Sequence, residues 1–239
     1  MLFLLLTAPV LAQTYVVGVE DLDYLPYYSS DQGEFVQSPS RQVLDRFAAQ
    51  HQYEFVYTPV PVARLTQMFV DGNVDFKFPD HPDWAQTAKT NLEIHYSSPI
   101  FHYTDGVMVL PEHLERSVDQ FKTLGTVRGF SPPVFAQMEE QGLIQIEETS
   151  SLDSVVLQAL YNRVDGTYFN IAVATWFLEE RIQQPRSLIF DPSLPHTSSH
   201  YALSSIHHPD IIEQFNHFLI KEAVWIESLQ PMHPFSTSE

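Results

Sequence analysis

"LTQMFVDGNVDFKFPDHPDW", residues 65–84, leads through a glycine turn into a short apolar run and then two prolines. The stretch 63–72 reads as a helix stopped by Gly72, and "VDFKF", 74–78, as the strand after it. Upstream, "YVVGV" (15–19) is a continuous apolar run of the kind buried on both faces of a parallel sheet. From Ser40, Val43, Leu44, Phe47 and Ala48 fall at helical spacing, with Ser38 or Ser40 as N-cap, and "YEFVYTPV" (53–60) is the next strand. Strand, helix, strand, helix, strand is the order of an α/β layer with parallel pairing.

The grammar then restarts. "TLGTVRG" (123–129) reads as a strand entering a glycine turn, and the helix after it is opened by Ser131 and Pro132. "IQIEE" (144–148) is a strand, "SSLDSVVLQALYNR" (150–163) a helix capped by Ser150 or Ser151, and "VDGTYFN" (164–170) the closing strand. "DGNVDFKF" and "RVDGTYF" echo each other, which favours two similar lobes over one large sheet. A first crossing runs through "HYSSPIFHYTDGVMVLPE" (95–112) and a second near "SSHYALSS" (198–205), after which residues 210–226 give a final amphipathic helix. The expected organisation is a leader at 1–12, a first lobe over 13–104, a second over 105–197, and a return to the first over 198–239. Two crossings imply a hinge, and the cleft between lobes is the expected ligand site.

The formal charge of −18 repels phosphate backbones and anionic lipid, which argues against nucleic acid or membrane binding through a basic surface. Residues 1–12, "MLFLLLTAPVLA", read as a secretory signal, with Val10 and Ala12 at small-residue cleavage positions but no positive n-region. The run is too short to span a bilayer of roughly 20 helical residues. The chain has no cysteine, so its core must hold it without disulfides. A soluble, exported, periplasmic monomer is expected.

In their order and spacing "VVGVEDLDYLPYY" (16–28), "LTQMFVDGNVDF" (65–76), "YSSPIFHYTDGVMV" (96–109), "GTVRGFS" (125–131) and "NRVDGTYFNIAVATWFLEE" (162–180) resemble one family. It is the extracytoplasmic solute-binding proteins of the amino-acid type, family 3, with the type II periplasmic binding fold. The resemblance spans essentially the whole mature chain. It implies two α/β lobes, a hinge and an interlobe cleft, and delivery of a small solute to a membrane ABC permease or a sensor. No cofactor is implied. Members of this family take a ligand carboxylate with an arginine, where this chain has Lys89 and Thr90, and with amides of the second lobe's glycine turn. They take the ammonium with an aspartate, where this chain has Asn170. Both departures point away from a standard free α-amino acid and toward a small polar or aromatic solute.

Lys77 sits mid-strand in a chain poor in cations, at the strand end that opens toward a crevice. It either meets a ligand anion in the cleft or pairs with Asp80 or Asp83. Arg128 precedes Gly129 at a helix start, where an anion site is expected beside Ser131. Arg64 follows "PVPVA", resembling a variant of the family's arginine. Tyr24, Tyr27 and Tyr28 surround Pro26 after the first strand and suit a flat or cationic ligand. Trp84 is a second wall or an anchor of its loop, and Tyr168 and Asn170 end a strand facing the cleft in the fold resembled. His196 and His200, or His207 and His208, lack a third ligand at fixed spacing, so no metal site is expected. No nucleophile elbow, phosphate loop or zinc-protease motif is present, and a non-enzyme is expected. The rivals are a lyase on the same scaffold, acting on a small cyclic acid through Lys77 with Asp80 or Glu20, and a sensory module that serves no transporter.

Overall fold

The computed structural model describes residues 12–130 and 132–231; apart from Ala12, the expected leader lies outside them, as does Ser131. In the first unit β1 (Gln13–Glu20) leads into three short strands, β2 (Asp23–Tyr24), β3 (Tyr28–Asp31) and β4 (Glu34–Phe35), which form a small antiparallel sheet. α1 (Pro39–His51), β5 (Tyr53–Val60), α2 (Val62–Val70) and β6 (Phe76–Asp80) follow. β1 pairs in parallel with β5 on one side and β6 on the other, which is why its interior, Val17 and Val19, is fully buried. Ser38 caps α1 by accepting the Arg41 N–H, and Gln52 ends it in the left-handed region at φ 58°. The strand expected at 74–78 runs two residues later. Asp75 is held instead as a clamp, its Oδ2 accepting the Val16 N–H at 2.7 Å.

β7 (His95–Tyr96) and the long β8 (Phe101–Val109) precede the second unit: β9 (Thr123–Val127), α3 (Pro133–Glu140), β10 (Gln145–Thr149), α4 (Leu152–Leu160) and β11 (Gly166–Asn170). β9 lies in parallel between β10 and β11, as β1 lies between β5 and β6. The echo is structural as well as textual: Asp165 accepts the Lys122 and Thr123 N–H groups with Oδ2, repeating the clamp of Asp75. α5 (Ile171–Trp176), to which sequence reading assigned no element, starts at once on Asn170. The chain then passes β12 (Ile189–Phe190) to β13 (Thr197–Ser205), α6 (Pro209–Lys221) and α7 (Ala223–Leu229). The single final helix expected over 210–226 is thus two, broken at Glu222, whose carboxylate takes Arg46 and Gln50 of α1.

The two units join through the crossing strands. β8 lies antiparallel to β11, β13 lies antiparallel to β6, and β8 and β13 pair with each other from Thr197 to Tyr201. α6 packs back on α1, with Phe47 meeting Phe215 at 4.9 Å and Phe218 at 5.5 Å between ring centroids.

Candidate functional site: the aromatic cavity between the units

A cavity of about 120 Å³ lies where the C-terminal ends of β1 and β6 face the glycine turn after β9. Tyr24, Tyr28, Trp84, Tyr103, Phe130 and Tyr201 wall it, drawn from both units and both crossing strands, and Tyr168 adds a further ring. Tyr103 and Tyr201 stack at 4.5 Å, Tyr24 stacks on Tyr28 at 5.0 Å, and Phe130 meets Tyr24 edge-on at 5.8 Å. The rings therefore brace one another before any ligand arrives. The units also touch directly: Gly129, at φ +93°, is packed so closely on the start of α2 that a Cβ there would lie 2.9 Å from the Ala63 amide nitrogen. Arg181 Nη2 of the second unit also pairs with Asp23 of the first at 2.5 Å.

Lys77 lines the cavity, but its ammonium folds back, donating to Asp80 Oδ1 at 2.7 Å and to the Pro79 carbonyl at 3.2 Å. Asp80 is fully buried and also accepts Lys89 Nζ at 2.7 Å and Ser204 Oγ at 2.7 Å. Burial pushes the Asp80 carboxyl up, but Lys77 and Lys89 together outweigh it and hold the group below the usual carboxylate range. Of the two readings for Lys77, the internal ion pair is the one formed.

The other cationic candidates lie away from the cavity. Arg64 is exposed and does not line it, and Arg128, about two-thirds exposed, points to Glu148 at 3.9 Å. Glu148 also accepts the Gly129 N–H at 3.4 Å. The anion site expected at this turn is thus occupied by the chain's own carboxylate. Tyr27 is buried one layer behind the wall, donating to the His102 carbonyl at 2.9 Å. Asn170 is also behind it: Oδ1 caps α5 by accepting the Ala172 and Val173 N–H groups, and Nδ2 donates to Tyr201 Oη at 2.9 Å.

Two carboxyls carry the cavity's electrostatics. Glu20, at the end of β1, is buried and accepts a short hydrogen bond from Tyr28 Oη; burial pushes its pKa to about 7 against the pull of Lys77. Asp105 of β8 lines the cavity at the residue where the strand is flanked by Asn170 on one side and Thr197 on the other. Its Oδ1 is buried with no hydrogen-bond partner, and burial together with Glu20 raises its pKa to about 8. Sequence reading named Glu20 only for the lyase and passed over Asp105. The signal was there in "HYTDGVMV", an acid inside an apolar strand, the same oddity that singled out Lys77.

His81 also lines the cavity and is hydrogen-bonded to Ser199 Oγ at 2.9 Å, with the His200 ring 5.0 Å away. Among the described residues no group of three or more His, Asp or Glu side chains is placed to hold a metal ion, and no helix is long and apolar enough to cross a membrane.

No protein-family model and no curated protein matches the sequence. The fold, by contrast, has many solved counterparts. A periplasmic binding protein of Salmonella typhimurium described for its high arginine specificity superposes with a TM-score of 0.71 at 15% identity, over 91% of this chain and 97% of that one. A putative ABC-transporter binding component from Wolinella succinogenes, complexed with lysine, gives 0.72 at 16%, covering 95% and 99%. The GluR0 ligand-binding core from Nostoc punctiforme, in complex with L-glutamate, gives 0.71 at 17%, covering 90% and 96%. The chain has the two-lobed α/β fold of type II periplasmic binding proteins, as its ordered motifs imply.

Proposed function

We propose that this chain is a periplasmic solute-binding protein that holds a small polar or aromatic organic solute in the cavity between its lobes. The observation that carries the reading is that cavity, enclosed by side chains of both units and of both strands that join them. A solute held there is in contact with both units only when they are closed, so binding shifts the population toward the closed form. A micromolar dissociation constant, about 8 kcal/mol, is within reach of one charge-assisted contact and an aromatic enclosure after ordering costs. The protein then acts as a monomer that passes its solute to an ABC permease or a sensor, with no chemical step. The fold of the three binding proteins above supports this reading over an enzymatic one.

A thermal-shift screen of the protein without residues 1–12 against a solute library tests it. A ligand that raises the midpoint in the parent and not in a Trp84→Ala, Tyr201→Ala double variant is the expected result. A library covering acids, amines, sugars and aromatics with no stabilising member overturns it.

A further inference from the structure

The charges around the cavity are not balanced in the way an amino acid would require. Each cation near it among the described residues is already held by an internal carboxylate: Lys77 and Lys89 share Asp80, and Arg128 faces Glu148, which also takes the glycine-turn amide. The two acids that line it are not held in the same way. Glu20 has only the Tyr28 hydroxyl as a hydrogen-bond donor, and Asp105 Oδ1 has none. Around these two acids stand the faces and edges of Tyr24, Tyr28, Trp84, Tyr103, Tyr168 and Tyr201. Ring faces carry negative potential and attract cations, most strongly where water is excluded. A buried acceptor without a donor costs free energy that a ligand N–H recovers.

Resting on the solute-binding reading above, we infer that the ligand is a small organic ammonium ion without a carboxylate, its cationic head on Asp105 and its body between the tyrosine and tryptophan rings. At about 120 Å³ the cavity is smaller than the roughly 150 Å³ apolar cavity that takes one benzene ring, which restricts the ligand to a small body. An α-carboxylate in the same space would meet the negative ring faces and find Lys77 and Lys89 already bonded to Asp80. Without a ligand, burial and the neighbouring Glu20 raise the Asp105 pKa to about 8, which favours its protonated form at pH 7. The ammonium replaces that proton: Asp105–COOH and R–NH3⁺ give the carboxylate–ammonium pair and one H⁺ released to solvent.

Matched pairs isolate the carboxylate. Binding of 2-phenylethylammonium, agmatine and cadaverine is measured by calorimetry at pH 7 against L-phenylalanine, L-arginine and L-lysine, each differing from its partner by the carboxylate alone. The expected result is at least one amine bound tenfold or more tightly than its amino acid, with proton release shown by two buffers of different ionisation enthalpy. Asp105→Asn is expected to weaken that amine at least tenfold, with circular dichroism reporting its fold. An amino acid that matches or exceeds its amine overturns the inference, and so does release of no proton in the parent, whatever the variant does. If no amine binds but an amino acid or a neutral solute does, the inference falls and solute binding stands. If nothing in the pairs or in the library binds, both fall.

Discussion

Lys77 Nζ and Lys89 Nζ both lie 2.7 Å from one oxygen of Asp80, a carboxylate with no exposure to solvent. Removing either lysine leaves a balanced pair, whereas removing the aspartate leaves two buried ammonium groups without a counter-ion. Breaking a buried pair from the side that strands a charge costs about 3–5 kcal/mol. Asp80→Ala is therefore expected to lose that much in urea unfolding, with Lys77→Met losing clearly less; equal losses would contradict a shared counter-ion. The Asp80 contribution has a fixed sign with pH. Its folded pKa is depressed, so its stabilisation is present above the ordinary carboxylate range and disappears as pH falls through the lowered value.

Glu20 and Asp105 act in the opposite direction. Their folded pKa values are raised, to about 7 and about 8, so the native state binds protons that the unfolded chain has released. Stability from these groups is present in acid and falls as pH rises through the folded values. For Glu20, moved from 4.5 to about 7, the whole effect is on the order of 3 kcal/mol. His81 and His200 are depressed by burial and complicate the acid side, so the informative window is pH 6.5 to 8. The empty protein is expected to lose stability across that window, and Asp105→Asn to flatten the loss. A parent midpoint that rises from pH 6.5 to 8 would show Asp105 already ionised.

The contrast between these acids and the named cations shows what the sequence makes legible. Parallel strands reveal themselves through continuous apolar runs, so the order of β1, β5, β6, β9 and β11 could be read before any coordinate. So could Ser38 as the cap of α1, because capping is a local event. Lys77 stood out for the same local reason, a charge in an apolar run, but whether it faces the cavity or Asp80 depends on a side-chain rotation of a few ångströms. Glu148 lies nineteen residues from Gly129, and only the parallel pairing of β9 with β10 brings it to the turn. Asp105 shows in the sequence as an acid in an apolar strand, but the missing hydrogen bond that sets it apart has no sequence signature.

Asn170 occupies the position in β11 that Asp80 holds in β6, the last residue of the strand, and like Asp80 it joins its unit to β13. Its side chain uses both ends, capping α5 with Oδ1 and reaching Tyr201 with Nδ2. Asn170→Ala removes the cap, worth about 1 kcal/mol, and strands the buried Tyr201 hydroxyl, worth about 1–3 kcal/mol more. A total loss of about 2–4 kcal/mol is expected by denaturant titration. Asn170→Asp keeps the cap and is expected to cost less, because Tyr201 can donate to the new carboxylate. A larger loss for the aspartate would place the weight on Nδ2 alone.

Gly129 decides how closely the units approach. At φ +93° it adopts a conformation that L side chains rarely take, and the space a Cβ would need is filled by the Ala63 amide and the Val62 side chain of the facing unit. Neither obstacle is the tip of a flexible side chain; one is backbone at the start of α2. Gly129→Ala must therefore change the turn or hold the units apart, and both disturb the wall formed by Phe130 against Tyr24. The turn itself is exposed and carries little of the core, so global stability should fall by only about 1 kcal/mol, the usual cost of a non-glycine residue at positive φ. The expected signature is a radius of gyration in small-angle scattering that stays large when ligand is added, with affinity reduced tenfold or more. A variant that compacts and binds like the parent would show that the units can close without the contact between Gly129 and Ala63.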